Sequence, residues 1–205
     1  MIDIKDLLEN IEGAIFDLDG VIVDTAKYHY FAWKRLANML GFEFTEKDNE
    51  KLKGVSRKES LEILLKIGGK DNEFSESQKE ELMDIKNGWY LEYIRKLTED
   101  EVLPGAKELI LTLKERGIKT GLATASKNAM LILERLNIKD LFDAIVDGTQ
   151  IFRAKPDPEI FLKCAQKLKV DPQKCIVFED AAAGIKAAKL AGMFAVGVGS
   201  CDMLG

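Results

Sequence analysis

From Pro104 onward the sequence alternates between helix-period segments and short apolar ones: KELILTLKERG, KTGLATA, NAMLILERLN, DAIV, PEIFLKCAQKL, CIVFED, GIKAAKLAG and FAVGVG. Parallel strands need a crossover, and a helix is its usual form, so this alternation predicts a parallel sheet with helices on both faces. A further strand is expected far upstream, in the apolar run AIFDL at residues 14–18. The segment between carries helix signals. Ala32, Leu36 and Met39 keep helical spacing, and Gly41 follows as a stop. Ser56-Arg57-Lys58-Glu59 and Ser75-Glu76-Ser77-Gln78 each have the form of a capping box ahead of an apolar run. The expected fold is therefore α/β, with residues 1–25 and 97–205 forming the sheet domain and residues 26–96 an inserted helical domain.

Composition narrows the function classes. A chain of 205 residues, 46% hydrophobic and 32% charged, is long enough for one core plus an insert and too apolar for disorder. The net charge of -5, with lysines dispersed among acids, argues against a nucleic-acid partner. No apolar run approaches the roughly 20 residues of a membrane span; Lys186 and Lys189 interrupt the Ala-rich stretch near the end. The first residues, MIDIKDLLENIEG, carry acids where a signal peptide would be basic and apolar, so the expected location is the cytoplasm. Cys164, Cys175 and Cys201 are odd in number and form no C-x-x-C pair, which suggests buried or inert thiols. His29 stands alone, so a metal here must be held mainly by carboxylates.

Ligands of such sheets bind beyond the carboxyl ends of the strands, where Asp17/Asp19, Thr124/Ser126 and Glu179/Asp180 converge although distant in sequence. The most informative segment is FDLDGVIVDT, residues 16–25, in which Gly20 lets the chain turn and bring both aspartates toward a ligand. One carboxylate can attack and the other can move a proton. D-x-D by itself reads more readily as a solvated strand-end turn, and it is the whole ten-residue segment after a strand that is specific.

The whole pattern resembles the haloacid dehalogenase superfamily of phosphotransferases, whose Rossmann-like core carries four motifs in order. They are matched here by DLDGVIVDT, by Thr124 ending GLATA, by Lys155 in AKPDPEIF and by Glu179-Asp180 in VFEDAAAGI. The resemblance implies that Asp17 forms an aspartyl phosphate and Asp19 acts as acid and base. It also implies that Mg²⁺ is held by Asp17, the Asp19 backbone carbonyl, Glu179 and Asp180, and that Lys155 and Thr124 hold phosphate. Taken singly, Lys155 is also a surface lysine before Pro156, whose ring can open the following helix. Thr124 is also an ordinary strand residue, and Glu179-Asp180 are also favoured helix-start acids.

Within the superfamily, the insert resembles the helical cap of the β-phosphoglucomutase family in DTAKYHYFAWKRLA, LKGVSRKESL and IKNGWY, joined by TASKN in the core. This implies that Arg57 grips the phosphate not being transferred and that Gly54 and Val55 contact sugar. Lys86 and the loop Ala125, Ser126, Lys127 and Asn128 would contact the bisphosphate, and His29 would couple cap closure to Asp19. Without the resemblance, Arg57 and Lys86 read as solvated helix charges, His29 as a residue on a helix face, and Trp33 and Trp89 as cap core. Thr124 stands where the family commonly has serine, and Ala154 precedes Lys155 where serine or glycine is common. A further strand and helix, which the family carries after a segment like VGVG, is not in the sequence before Gly205. The expected activity is Mg²⁺-dependent interconversion of β-D-glucose 1-phosphate and glucose 6-phosphate by a monomer, with sugar phosphate and bisphosphate as partners. A sugar-phosphate phosphatase is the alternative. A non-catalytic binding module is a third reading, disfavoured because Asp17 and Asp19 are both present.

Overall fold

The computed structural model describes residues 10–52 and 56–199. Along them, β1 (Gly13–Phe16) is followed by α1 (Ala26–Met39), α2 (Glu46–Asn49), α3 (Arg57–Ile67) and α4 (Glu76–Ile94). Helices and strands then alternate: α5 (Ala106–Glu115), β2 (Lys119–Ala123), α6 (Ala129–Arg135), β3 (Ala144–Val146), α7 (Glu159–Leu168), β4 (Cys175–Glu179), α8 (Ala182–Leu190) and β5 (Phe194–Gly197). The chain divides into two compact units, Met1–Asp24 with Leu97–Gly205, and Thr25–Lys96.

The first unit is a five-stranded sheet in the order β3-β2-β1-β4-β5, every neighbouring pair parallel. The chain runs outward from β1 through β2 to β3 and then crosses back to β4, so the switch in strand order falls beside β1. All four residues of β1 are buried, as expected for a central parallel strand covered on both faces. Ile15, Val146, Val177, Phe161, Leu168 and Ala187 belong to one apolar cluster. Phe16 stacks on Phe178 with ring centroids 4.8 Å apart, a contact worth about 0.5–1.5 kcal/mol beyond its buried area. At the start of β2, Asp143 accepts the Thr120 N–H at 2.8 Å, while its own N–H donates to the Thr120 carbonyl at 2.7 Å. Cys164 and Cys175 are buried free thiols, whereas Cys201 lies outside the described residues.

The second unit is helical. Both expected capping boxes form, on Ser56 with Glu59 and on Ser75 with Gln78, and a third that sequence reasoning passed over forms on Thr45 with Asp48. Trp33, Leu36, Phe44, Leu61, Leu64 and Leu82 share its core, with Trp89 packed against them. One expectation is corrected in the sheet unit. The residue at the entrance to α7 is Pro158, not Pro156, because the chain makes a turn closed by the Asp157 N–H on the Ala154 carbonyl before the helix begins.

Candidate active site

The register of β1 sets the site. Phe16 lies opposite Leu122 on one side and Phe178 on the other. Asp17, the next residue, donates its N–H to the Phe178 carbonyl at 3.0 Å and so leaves the sheet beside Glu179, the last residue of β4. Thr124 follows β2 on the other side, its N–H on the Val146 carbonyl at 3.0 Å. Carboxylate oxygens of Asp17, Glu179 and Asp180 lie within 4.8 Å of one another.

Two glycines make room for this crowding. Gly20, at φ +77°, turns the chain so that its N–H donates to the Val23 carbonyl at 2.8 Å, and a Cβ there would run into the Asp180 carboxylate. Gly184, in the first turn of α8, faces the Glu179 carboxyl in the same way, and a Cβ would occupy the volume that carboxyl fills. Asp19 is half-buried and bridges to Val23 through its backbone.

Lys155 closes the cluster. Its Nζ donates to Asp17 Oδ1 at 2.6 Å and to Glu179 Oε2 at 2.7 Å, with the Phe161 ring 5.0 Å away. Burial works against the ammonium charge, but Asp17 and Glu179 outweigh it and hold its pKa above the ordinary value. One cation does not balance three acids. Burial, and then the charge of Asp17, push Glu179 up to about 7 despite Lys155, and Asp180 is raised for the same two reasons. A donor set made wholly of carboxylate oxygens, crowded together and left with surplus negative charge, suits a hard divalent cation, and Asp17, Glu179 and Asp180 are the residues to hold it.

The loop after β2 is held by short-range bonds from side chains to backbone. Thr124 is buried, and its hydroxyl accepts the Ser126 N–H at 3.1 Å. The Ser126 hydroxyl accepts the Asn128 N–H at 3.3 Å, and the Ser126 carbonyl accepts that of Gly148 at 3.2 Å. Ala125 and Lys127 are exposed, while Ser126 and Asn128 are half-buried.

In the helical unit, the reading of Lys86 as a solvated helix charge is overturned. Lys86 is 2% exposed, its Nζ hydrogen-bonded to His29 Nδ1 at 2.8 Å and set 4.6 Å from the Trp33 ring centre. The His29 ring stacks on Tyr90 with centroids 4.0 Å apart, and the Tyr90 hydroxyl lies 3.2 Å from Thr25 Oγ1. His29 is an exposed residue, yet the desolvation of its ring, then Lys86 and Arg57, lower its pKa to about 3, which favours the neutral imidazole. Arg57 is exposed and its Nη2 donates to Asn87 Oδ1 at 2.9 Å. Sequence reasoning missed Asn87, whose only signal was its place after Lys86 in IKNGWY. It also missed Gly184 and Phe161. Gly54 and Val55 lie outside the described residues.

Known proteins carry the same pattern. The haloacid dehalogenase-like hydrolase model matches residues 11–192. The chain is 52% identical over 189 residues to a Bacillus subtilis β-phosphoglucomutase, covering 92% of this chain and 84% of that one. It is 36% identical over 186 residues to a Thermotoga maritima phosphorylated carbohydrates phosphatase, covering 89% and 82%. Among solved structures, the β-phosphoglucomutase of Clostridium difficile aligns with a TM-score of 0.83 at 49% identity, covering 95% of this chain and 87% of the other. The matched stretch holds Asp17, Lys155, Glu179 and Asp180 together with the two glycines that seat the acids, and the chain belongs to the haloacid dehalogenase-like hydrolase family.

Proposed function

We propose that this chain is a Mg²⁺-dependent β-phosphoglucomutase, interconverting β-D-glucose 1-phosphate and glucose 6-phosphate through an aspartyl-phosphate enzyme and β-glucose 1,6-bisphosphate. The observation that carries the phosphoryl-transfer part is Lys155 bridging Asp17 and Glu179 in an acid cluster at the carboxyl end of the sheet. The mutase part is supported by the relatives of that name and by Arg57 and Lys86, cations suited to a second phosphate.

In this reading an Asp17 oxygen attacks phosphorus, and the bond from phosphorus to the sugar oxygen breaks as Asp19 protonates that oxygen. In the reverse direction Asp19 removes the proton from the sugar hydroxyl at C1 or C6, which then takes the phosphoryl group from Asp17. Lys155 meets charge on the transferring oxygens as a point cation, and the Thr124 and Ser126 loop lines the phosphate. Mg²⁺, held by Asp17, the Asp19 carbonyl, Glu179 and Asp180, would neutralise phosphate charge and let the acids coexist. Arg57 holds the far phosphate, with Gly54 and Val55 against the sugar. Lys86, Ala125, Lys127 and Asn128 complete the substrate contacts, and His29 links them to Asp19.

The test is a product assay. With β-glucose 1-phosphate, Mg²⁺ and a trace of bisphosphate, glucose 6-phosphate is expected to accumulate well ahead of free phosphate. Chelation is expected to stop turnover while the circular dichroism spectrum is kept, since the apolar core is independent of the ion. Free phosphate without glucose 6-phosphate would establish instead the sugar-phosphate phosphatase reading, which the 36% identity to the Thermotoga maritima phosphatase favours. Neither product would overturn both.

A further inference from the structure

Lys155 is delivered by residues 147–158, a connection between β3 and α7 that contains no regular strand or helix. Hydrophobic burial anchors its middle weakly, because Ile151 is only partly buried against the core and Phe152 is 95% exposed. Three side chains spaced four residues apart on α7 meet the connection instead, along one helix face. Lys167 donates to the Ile145 carbonyl at 2.8 Å and to the Gln150 side-chain oxygen. Lys163 donates to the Gln150 carbonyl and to Glu159 Oε1, both at 2.6 Å. Glu159 accepts the N–H of Phe152 at 3.1 Å and that of Arg153 at 2.8 Å. The ladder therefore runs from β3 to the residue two places before Lys155. A helix-start acid favoured only by the helix dipole would face water. The Glu159 side chain is 10% exposed and has both oxygens engaged.

We propose that Glu159 is a positioning residue for Lys155: by accepting two backbone N–H groups of the connection, its carboxylate fixes where the Lys155 ammonium stands between Asp17 and Glu179. The inference rests on the reading of Lys155 as the cation that meets the transferring phosphoryl group. Its effect on catalysis follows from misplacing that cation, and an ångström of displacement costs about a hundredfold in rate.

The experiment compares Glu159→Ala, Glu159→Gln and the unaltered protein by limited acetylation of lysines read peptide by peptide in a mass spectrometer. A lysine bound to two carboxylates reacts slowly. Lys155 is expected to become several-fold more reactive in Glu159→Ala and less so in Glu159→Gln, which keeps one acceptor oxygen, while Lys119 and Lys174, bonded elsewhere, serve as unchanged references. Phosphoryl transfer from acetyl phosphate is expected to fall about a hundredfold in kcat, and Glu159→Ala is expected to add little to the loss in a Lys155→Ala background. If Glu159→Ala fails to fold, Lys163→Met removes the neighbouring rung and is expected to show a smaller rise in Lys155 labelling. Unchanged labelling of Lys155 in a folded variant, or fully additive losses, would overturn the proposal. Absence of phosphoryl transfer in the unaltered protein, with the labelling response present, would sink the functional reading and leave the positioning role standing.

Discussion

Lys155 and Lys86 are both withdrawn from water, and their surroundings treat the ammonium in opposite ways. Lys155 stands between two carboxylates that hold its proton on. Lys86 is enclosed by His29, Trp33 and Tyr90, and burial, reinforced by the charge of Arg57, lowers its pKa to about 7. Its charged form is thus destabilising in the folded state. Because the folded pKa lies below the unfolded one, the penalty is full below pH about 7 and shrinks as pH rises toward the unfolded value. Lys86→Met is accordingly expected to stabilise the protein by roughly 1 kcal/mol below neutrality, with a smaller gain near pH 9, while weakening sugar-phosphate binding. Thermal unfolding across that range, beside a binding titration, checks both; a destabilised variant would contradict the argument. In the sequence Lys86 was one charge among many on an amphipathic helix, because its burial is made by α1 packing on α4, a tertiary contact no local pattern encodes. Gly184 was opaque for a related reason. Within a helix it costs about 0.5–1 kcal/mol against alanine, and only the Glu179 carboxyl beside it explains its use.

At the scale of elements much more was legible. Four of the five strands fall inside the apolar runs and β1 begins one residue ahead of its run, at Gly13, while the caps on Ser56 and Ser75 follow from short-range chemistry that the sequence displays directly. The start of α7 was not, since Pro156 and Pro158 are equally suited to a helix entrance until the turn at Ala154 and Asp157 decides between them. Nor did the sequence reveal how β2 and β3 are fixed at their entry, where Asp143 accepts from Thr120 and from Lys114 Nζ at 3.1 Å. Burial would raise the Asp143 pKa, but the Thr120 N–H and Lys114 outweigh it and lower it. A lowered folded pKa gives stability that is present above the unfolded value, near 3.9, and lost as pH falls through the folded one. Asp143→Asn is therefore expected to lower stability by only about 0.5 kcal/mol near pH 7, because the carboxylate is 43% exposed and screened. Urea unfolding should show the gap closing below about pH 4. A gap that widened in acid would contradict this assignment of the Asp143 charge.

Across the whole molecule the chemical groups are divided between two units built on different physics. The sheet unit gathers its acids by strand register, so two segments far apart in sequence, at Asp17 and at Glu179-Asp180, meet because the parallel strands β1 and β4 end level. The helical unit carries two cations of its own, Arg57 held by Asn87 and Lys86 held by His29. In the proposed function the acid cluster with Lys155 serves phosphoryl transfer from any small donor, whereas a mutase must also retain a bisphosphate while its two ends exchange places. Arg57→Ala removes a charge-assisted contact of the kind worth about 1.5–3 kcal/mol, so isomerisation of β-glucose 1-phosphate is expected to fall about 10–100-fold. Transfer from acetyl phosphate, which has no second phosphate, is expected to change little, and the ratio of free phosphate to glucose 6-phosphate is expected to rise as the intermediate escapes. Measuring the three rates on one preparation makes the comparison internal. Equal losses with both donors would mean that Arg57 serves the chemical step or the fold instead of the distal phosphate, and the mutase reading would then lose the cation on which its retention of bisphosphate depends.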